Sequence, residues 1–243
     1  MLYSENSPVD FKEGALILID KPKEWTSFDV VNKIRYLIRH KFGYKKLKVG
    51  HAGTLDPLAT GLLIVCTGKL TRQIDTYQAQ TKEYITTIKL GATTPSFDCE
   101  TPEDATYPTA HITREKVASA IEQFIGEQDQ IPPMFSAKKV NGKKAYISAR
   151  NGETLELKAR RIVIYSLELI DFNMPFVTVK MSCSKGTYVR SFGRDFGIAL
   201  ESGAYLWELR RTRIGDFDVT KALEIENFEN SLGNMQPNID KHV

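Results

Sequence analysis

One carboxylate stands in a segment whose residue types force the backbone to turn. Residues 50–61 (GHAGTLDPLATG) contain three glycines, one proline and Asp56. Pro57 restricts Asp56 to extended backbone geometry, which disfavours a continuous helix through the segment. A tight turn of this kind can hold a carboxylate at a fixed angle for nucleophilic attack. The alternative is an ordinary Asp-Pro turn that leads into a strand.

Two other chemistries are excluded for this part of the chain. Residues 61–69 are similar to a P-loop, but six residues separate the two glycines instead of four, and Leu70 follows the lysine where Ser or Thr must reach magnesium. The nucleophile of a phosphate-transferring hydrolase needs further carboxylates to hold magnesium, and none lies near Asp56 in the sequence. We therefore expect no metal ion and no cofactor.

The segment around Asp56 resembles the catalytic motif of the TruB family, the tRNA pseudouridine-55 synthases. The resemblance extends in order and spacing over roughly residues 13–215, through residues 16–29 (LILIDKPKEWTSFD), 82–84 (KEY), 131–144 (IPPMFSAKKVNGKK), 183–190 (CSKGTYVR) and 209–211 (LRR). It implies an isomerase that converts uridine 55 in the T loop of tRNA into pseudouridine. The expected partner is the T-arm stem-loop of tRNA.

The resemblance implies three catalytic residues. Asp56 corresponds to the carboxylate that attacks the target nucleotide, at ribose C1′ or at uracil C6. Tyr84 corresponds to the tyrosine that stacks on the flipped base and helps to remove the proton from C5. Arg190 corresponds to the arginine that pairs with the catalytic carboxylate. An aspartate with an ordinary pKa of about 3.9 is ionised at neutral pH, and a buried arginine keeps it ionised despite desolvation.

The resemblance also implies five substrate-binding residues. Tyr188 and Leu209 correspond to residues that line the uracil pocket, and His51 to a histidine that enters the T loop. Lys21 and Arg72 occupy positions where the family carries basic residues near the cleft. The reaction breaks a C–N glycosidic bond and rejoins the uracil through C5, so it needs a nucleophile and a base but no redox carrier. The target base must leave the RNA stack at a cost of a few kcal/mol, and an aromatic face can receive it.

The elements that must position these residues predict an α+β fold. Strands are predicted at residues 15–20, 83–90, 162–172, 176–184 and 205–214, and helices at residues 26–38, 113–125 and 190–200. Strands and helices are intermixed without a regular βαβ repeat. The resemblance specifies the pseudouridine synthase fold, with a mixed, mostly antiparallel central sheet, flanking helices and a catalytic cleft across the sheet.

Basic residues are clustered although the net charge is only +3. Between Val30 and Leu55 there is no acidic residue, and seven positive charges are supplied by Lys33, Arg35, Arg39, Lys41, Lys45, Lys46 and Lys48. Further clusters lie at residues 138–144, 158–161 and 210–213. Such patches can contact phosphates along a folded RNA, or can form an ordinary solvated face.

The expected organisation is an N-terminal tail (residues 1–12), a catalytic domain (13–220) and a C-terminal tail (221–243). Residues 128–152 are polar, basic and punctuated by glycine, and they resemble the RNA-clasping thumb of the family. Many relatives continue into a C-terminal PUA domain, whereas only about 30 residues follow Arg213 here, too few for another domain. Another departure from the family is residues 94–98 (TPSFD), where relatives often carry two aspartates. Asp98 is expected to keep a supporting role.

The remaining features indicate a cytoplasmic monomer that does not enter a membrane. The longest apolar runs, residues 15–19 and 62–66, are too short to span a bilayer, and the N terminus lacks a signal-peptide pattern. Three widely separated cysteines predict reduced, buried thiols. Two other functions stay open: a non-catalytic tRNA-binding protein, and a ribosomal RNA synthase of another pseudouridine family. The latter usually has an arginine where Thr54 stands.

Overall fold

The structure is a computed structural model of the chain, and it describes residues 2–3, 9–134, 139–140, 143–144 and 157–235. The chain divides into two compact units. The first comprises Met1–Gln80 and Arg210–Val243, and the second Thr81–Leu209. Most of the predicted thumb at residues 128–152 lies outside the described residues, and its first three residues, 128–130, belong to a strand of the second unit.

The described residues contain five α-helices and two short 3-10 helices. The α-helices are α1 (Ser27–Phe42), α2 (Ile74–Ala79), α3 (Arg114–Gln123), α4 (Val189–Ala199) and α5 (Ile225–Asn234). The 3-10 helices are Gly68–Gln73 and Val219–Lys221.

Thirteen strands complete the described secondary structure. They are β1 (Leu16–Lys21), β2 (Val49–His51), β3 (Thr60–Thr67), β4 (Lys82–Leu90), β5 (Ala92–Thr93), β6 (Ala105–Thr106), β7 (Gly126–Gln130), β8 (Lys139–Val140), β9 (Lys143–Lys144), β10 (Arg160–Asn173), β11 (Phe176–Cys183), β12 (Ala204–Ile214) and β13 (Phe217–Asp218). All the strands and helices expected from the sequence are present, within a few residues of the expected bounds.

The sheet of the first unit is buried on both faces. Strands β1 and β2 pair antiparallel with β3, which pairs in parallel with the end of β12 at Arg210 and Arg211. Ile17 and Val65 belong to one apolar cluster, whereas Leu18 and Ile64 belong to another. Because both faces of the sheet are covered, residues 16–19 and 62–66 are apolar at every position rather than at alternate ones.

Helix α1 begins within one residue of the start that its sequence predicts. The Thr26 side chain accepts a hydrogen bond from the backbone N–H of Asp29, and the Asp29 carboxylate accepts one from the backbone N–H of Thr26. This reciprocal capping box satisfies donors that a helix N-terminus leaves open. Gly43 ends the helix in the left-handed conformation, with φ of 66°. The apolar stripe of the helix is buried: Val30, Val31, Ile34, Leu37 and Ile38.

The described parts of both chain ends, which the sequence predicted as tails, pack into the first unit. Tyr3 and Phe11 from the N-terminal segment join Phe228 and Leu232 of α5 in one buried cluster. The Tyr3 hydroxyl lies 2.7 Å from the hydroxyl of Ser231. Burial of apolar side chains from both ends stabilises the sheet face that carries α1.

The second unit contains an antiparallel sheet with helices packed on it. Strand β11 pairs with β4 and with β10, and β10 pairs with β7, all antiparallel. The first residues of β12 lie beside β4, where the Thr86 hydroxyl donates to the Glu208 carbonyl. Phe124 lies after α3, and its ring contacts those of Phe192 and Phe196 on α4. The predicted α+β fold class, with a mixed and mostly antiparallel sheet, is confirmed.

The helices and the cysteines of the described residues relate to two expectations from the sequence. No helix among the described residues is long and apolar enough to cross a membrane. Cys66 and Cys183 are buried as expected, but Cys99 is exposed, so the prediction of three buried thiols is wrong for Cys99. Cys99 follows the buried Asp98 in a surface loop, a position that its residue type alone does not reveal.

Candidate active site

Asp56 lies partly exposed in the turn that connects β2 to β3. The backbone N–H of Ala59 donates to the Asp56 carbonyl at 3.1 Å and closes the turn. Leu55 is held by both of its backbone groups, since its N–H donates to the Ser27 hydroxyl at 2.8 Å and its carbonyl accepts from the same hydroxyl at 3.1 Å. Ser27 is itself buried in the first turn of α1. The backbone of Leu55, which precedes Asp56, is therefore hydrogen-bonded to the start of α1.

Lys21 is fully buried at the end of β1 and fixes the other side of the turn. Its ammonium group donates to the backbone carbonyls of Pro22 at 2.8 Å, Trp25 at 2.6 Å and Pro57 at 3.2 Å. An ammonium has three N–H donors, so no donor remains for an RNA phosphate. Burial lowers the pKa of Lys21 to about 8, and the charge of Asp56 opposes this shift. Lys21 thus positions the residue that follows Asp56.

Arg211 is a second buried cation that holds this segment. Its Nε donates to the Leu62 carbonyl at 2.8 Å and its Nη2 to the Gly53 carbonyl at 3.0 Å, and its residue is 1% exposed. The β3 backbone approaches it closely at Gly61, where a Cβ atom would lie 2.3 Å from the Arg211 carbonyl oxygen. Gly61 also has φ of 103°, a conformation that other residues rarely adopt. Glycine at this position therefore allows the close pairing of β3 with β12.

His51, the last residue of β2, is partly exposed beside the same turn. Burial of the ring lowers the pKa of His51, and the positive charge of Arg211 lowers it further. Both effects favour the neutral form of the imidazole. A neutral ring can enter a nucleic-acid loop without the desolvation cost of a charge.

In the second unit, Arg190 is buried on the first turn of α4 and faces a carboxylate. Its Nη1 lies 3.4 Å from Asp98 Oδ2 and donates to the Ser96 carbonyl at 3.4 Å. Both charged side chains are less than a tenth exposed. Asp98 is itself fixed, because its Oδ1 accepts from the Glu100 N–H at 2.9 Å and its carbonyl accepts from the hydroxyls of Ser96 and Thr94. The supporting role expected for Asp98 has a definite partner in Arg190.

The other predicted residues of the second unit lie on neighbouring elements. Tyr84 is 8% exposed on the buried face of β4, opposite Met181 of β11. Tyr188 is the residue before α4, where the Gln130 side chain accepts from its N–H at 2.8 Å and donates to its carbonyl at 3.1 Å. Leu209 is partly exposed on β12. A buried amide therefore fixes the backbone of Tyr188 just as a hydroxyl fixes that of Leu55.

The structure gathers the predicted site residues into two groups, one in each unit. The first unit holds Asp56, Lys21 and His51 at one turn, and the second holds Tyr84, Tyr188, Arg190 and Leu209. Arg72 is exposed on the 3-10 helix Gly68–Gln73 of the first unit. The expected pair of Asp56 with Arg190 joins residues of different units and stays a prediction.

Comparison with known proteins identifies the family. Residues 39–189 match the family described as TruB family pseudouridylate synthase (N terminal domain). The protein of Phocaeicola vulgatus named tRNA pseudouridine synthase B is 58% identical over 220 residues, which cover 90% of this chain and 94% of that one. The chain belongs to the TruB family. The family resemblance stated from the sequence is therefore confirmed.

Further TruB relatives and a solved structure agree with this assignment. The protein of Flavobacterium johnsoniae named tRNA pseudouridine synthase B is 51% identical over 227 residues, which cover 93% of this chain and 99% of that one. A chain in the crystal structure of a Cbf5-Nop10-Gar1 complex superimposes with a TM-score of 0.68 at 26% identity. The match covers 90% of this chain and 54% of that chain, so this chain spans about half its length. The predicted pseudouridine synthase fold is confirmed.

Sequence reasoning missed several TruB residues that position the site. Arg211 was placed in a basic cluster that could contact phosphates, but it is buried. In the same cluster, Arg210 forms an ion pair with Asp20 at 2.6 Å, and Arg213 lies 3.7 Å from Asp218. This cluster is therefore largely occupied by contacts within the chain. The burial pattern of β12 does not alternate around Arg211, because Leu209 is only partly buried and Arg213 is exposed, so no local signal in the sequence marked the burial of Arg211.

Ser27 and Gln130 were missed for a different reason. In the sequence Ser27 stands out only as a residue at the start of the predicted helix 26–38, whereas its hydroxyl bonds both backbone groups of Leu55. Gln130 was assigned to the thumb, whereas it ends β7 and is 3% exposed. A serine at the start of a helix and a glutamine in a polar segment are both ordinary features of a sequence. Only the long-range contact distinguishes these two.

Proposed function

We propose that this TruB-family chain isomerises uridine 55 in the T loop of tRNA to pseudouridine, with Asp56 as the nucleophile. Relatives named tRNA pseudouridine synthase B match over nearly their full length, which supports tRNA as the substrate and this isomerisation as the reaction. The observation that carries the proposal is the fixation of the Asp56 turn. Ser27, Lys21 and Arg211 hold residues on both sides of a partly exposed carboxylate.

The proposed reaction conserves all atoms of the uracil and of the ribose. The carboxylate of Asp56 adds to ribose C1′ or to uracil C6, and the C–N glycosidic bond breaks. The uracil rotates, and its C5 forms a new C–C bond with C1′. If the carboxylate is bound to C1′, its ester bond breaks as the C5–C1′ bond forms; if it is bound to C6, it leaves by a later elimination. A base then removes the C5 proton, and N1 takes up a proton from solvent, so the product has the same composition as the substrate. A carboxylate held at a fixed angle lowers the entropic cost of the attack.

Residues of the second unit have proposed roles in catalysis and in binding of the uracil. Tyr84 stacks on the extruded base, and its hydroxyl assists the removal of the C5 proton. Arg190 pairs with the Asp56 carboxylate, while Asp98 holds the guanidinium in place. Tyr188 and Leu209 line the uracil pocket, and the neutral ring of His51 enters the T loop.

The proposal includes a cytoplasmic monomer that needs no metal ion. Among the described residues, no group of three or more His, Cys, Asp or Glu side chains is arranged to hold a metal. Activity in EDTA after dialysis, compared with activity in magnesium, tests the metal requirement. Light scattering during size-exclusion chromatography, with and without tRNA, tests the oligomeric state.

Tritium release from tRNA labelled at uridine C5 tests the proposal most directly. We expect one tritium released per tRNA molecule, and mapping of the product should place pseudouridine at position 55. A tRNA with cytidine at position 55 is the matched control and should release none above background. Binding without release would indicate a non-catalytic tRNA-binding protein, and release from ribosomal RNA alone would indicate a synthase of another specificity.

A further inference from the structure

A basic pocket lies in the first unit, formed by three segments that are far apart in the sequence. It encloses about 250 Å³. Its basic lining side chains are Lys12, Lys46, Lys48, Lys69 and Arg72. They come from the N-terminal segment, the loop after α1, and the 3-10 helix after β3. The pocket contains none of the residues that surround Asp56.

Backbone hydrogen bonds hold the three segments together. The Gly68 N–H donates to the Lys48 carbonyl at 2.9 Å, and the Lys69 N–H donates to the Lys12 carbonyl at 3.1 Å. Gly68 has φ of 52°, and a Cβ atom there would lie 2.0 Å from the Lys12 carbonyl oxygen. Glycine at this position therefore permits the close approach of the segments. The spacing of the basic side chains is set by the fold and does not depend on flexible loops alone.

The positive charge of the basic pocket is only partly compensated. Lys69 forms an ion pair with Glu13 at 2.7 Å, and the Lys12 ammonium lies 4.5 Å from the centroid of the Tyr44 ring. No carboxylate in the described part of the chain pairs with Lys46, Lys48 or Arg72. Like charges that line one pocket repel one another, and an anion bound among them offsets that repulsion.

The lining favours a phosphate of a nucleic-acid backbone over an enclosed metabolite. Small-molecule sites usually occupy roughly 300–1,000 Å³, whereas this pocket has a volume of about 250 Å³ and five of its eight lining residues are lysine or arginine. Arg72 can bind phosphate oxygens in a bidentate manner, and the lysines add point charges. Thr71, whose hydroxyl donates to the Gly68 carbonyl at 2.8 Å, keeps the 3-10 helix in register beneath them.

We propose that the basic pocket binds one or two backbone phosphates of the T-arm stem, away from the nucleotide that reacts. This inference rests on the proposed function, because it takes the T arm as the RNA. It replaces the broad expectation of phosphate contacts along residues 41–48 with a specific site. Lys46 and Lys48 belong to the site, whereas the neighbouring Lys45 is exposed but does not line the pocket.

The test compares Lys46→Gln/Lys48→Gln and Arg72→Gln with Lys45→Gln and Lys221→Gln, the last an exposed lysine elsewhere in the same unit. Dissociation constants for a T-arm hairpin are measured by filter binding at several KCl concentrations. We expect the double variant to raise Kd by roughly threefold to twentyfold at low salt. The slope of log K against log salt should flatten by about 0.7 to 0.9 for each phosphate that the variant no longer neutralises.

Phosphate ethylation interference then locates the bound phosphates on the hairpin. With the wild-type chain, ethylation of one or two stem phosphates should block binding, and this interference should disappear in the double variant. Equal effects of Lys45→Gln and Lys46→Gln/Lys48→Gln would indicate diffuse charge and overturn the pocket. Wild-type affinity, salt slope and interference in the double variant would also overturn it.

The outcomes separate this inference from the proposed function. Binding of the hairpin and its dependence on the basic pocket are measured without turnover. A wild-type chain that binds but forms no pseudouridine contradicts the proposed function and leaves the pocket to be judged by the variants. A wild-type chain that modifies tRNA while the variants bind normally contradicts only the pocket. A wild-type chain that does not bind the hairpin contradicts both.

Discussion

Two sets of basic residues in the first unit have the same chemistry but opposite environments. Lys21 and Arg211 are buried, and their donors reach five backbone carbonyls: those of Pro22, Trp25, Pro57, Leu62 and Gly53. Lys46, Lys48 and Arg72 are exposed in the basic pocket, where no carboxylate of the described residues pairs with them. The first set fixes the backbone around Asp56, and the second presents charge to solvent.

The difference shows that positive charge alone does not identify an RNA-binding residue. The three donors of Lys21 are all used by carbonyls, so this cation stabilises the local backbone and has no donor left for a phosphate. Arg211 is buried, and its Nε and Nη2 likewise donate to backbone carbonyls. A cation with unused donors costs little to keep at the surface, because water solvates it until an anion arrives. Substitutions in and around the buried set test this division, from the largest expected effect to the smallest.

Replacement of Asp56, whose turn is held by the buried Lys21 and Arg211, should have the largest effect. Asp56→Asn keeps the size of the side chain but removes the proposed nucleophile, so we expect single-turnover pseudouridine formation to fall by a factor on the order of 10⁴ or more. Binding of tRNA, measured by filter retention, should stay nearly unchanged. Substantial turnover by Asp56→Asn would show that the fixed turn serves another purpose.

Tyr84→Phe separates stacking from proton transfer. The ring that receives the base is kept, so the affinity for RNA should stay close to that of the wild type. If the hydroxyl assists removal of the C5 proton, the single-turnover rate should fall by roughly 10²-fold or more. The measurement is rapid-quench tritium release with enzyme in excess. An unchanged rate would leave Tyr84 as a stacking surface only.

Arg211 and Arg213 form a matched pair on one strand, with opposite burial. Arg211→Gln leaves the carbonyls of Leu62 and Gly53 without their donors, so we expect the free energy of unfolding to fall by about 2 to 4 kcal/mol. Arg213→Gln removes a half-exposed group beside Asp218 and should cost less than about 1 kcal/mol. Urea unfolding monitored by circular dichroism gives both values. Equal decreases would contradict the assignment of different roles.

Lys21 should give the smallest effect, visible as a dependence of stability on pH. Its folded pKa of about 8 lies below its ordinary value of 10.5. Below pH 8 both the folded and unfolded states hold the proton, and the cost of burying the charge is fully present. Between these two pKa values the unfolded state binds more protons, so stability rises with pH. Relative to Lys21→Met, the wild type should gain on the order of 1 kcal/mol between pH 7 and pH 9.

That comparison needs only urea unfolding of the two proteins at matched pH values. Because other groups titrate in the same range, the difference between wild type and Lys21→Met is the quantity of interest. A difference that is flat from pH 7 to pH 10 would place the pKa of Lys21 near its ordinary value. Its three carbonyl contacts would then stabilise the ammonium fully.

The sequence by itself determined the features that depend on neighbouring residues. The capping box of Thr26 and Asp29, the buried stripe of α1 and the alternating face of β4 around Tyr84 follow from spacings of two to four residues. The Asp56 turn follows from the glycines and the proline that flank it. Local sterics and hydrogen bonds set these features, so they can be recognised without knowing the rest of the fold. The motif resemblance added the family and the roles to test.

Tertiary structure alone decided which polar residues are buried and which segments meet. Charged residues are mostly exposed, so residue type alone offers no reason to bury Lys21 or Arg211. Their partners lie elsewhere in the fold: Arg211 reaches Gly53 across 158 positions of the chain. The basic pocket likewise exists only because Gly68 and Lys69 bond to the backbones of Lys48 and Lys12. Such contacts depend on the path of the whole chain. The residues that form them are far apart in the sequence, so no local pattern reveals that they meet.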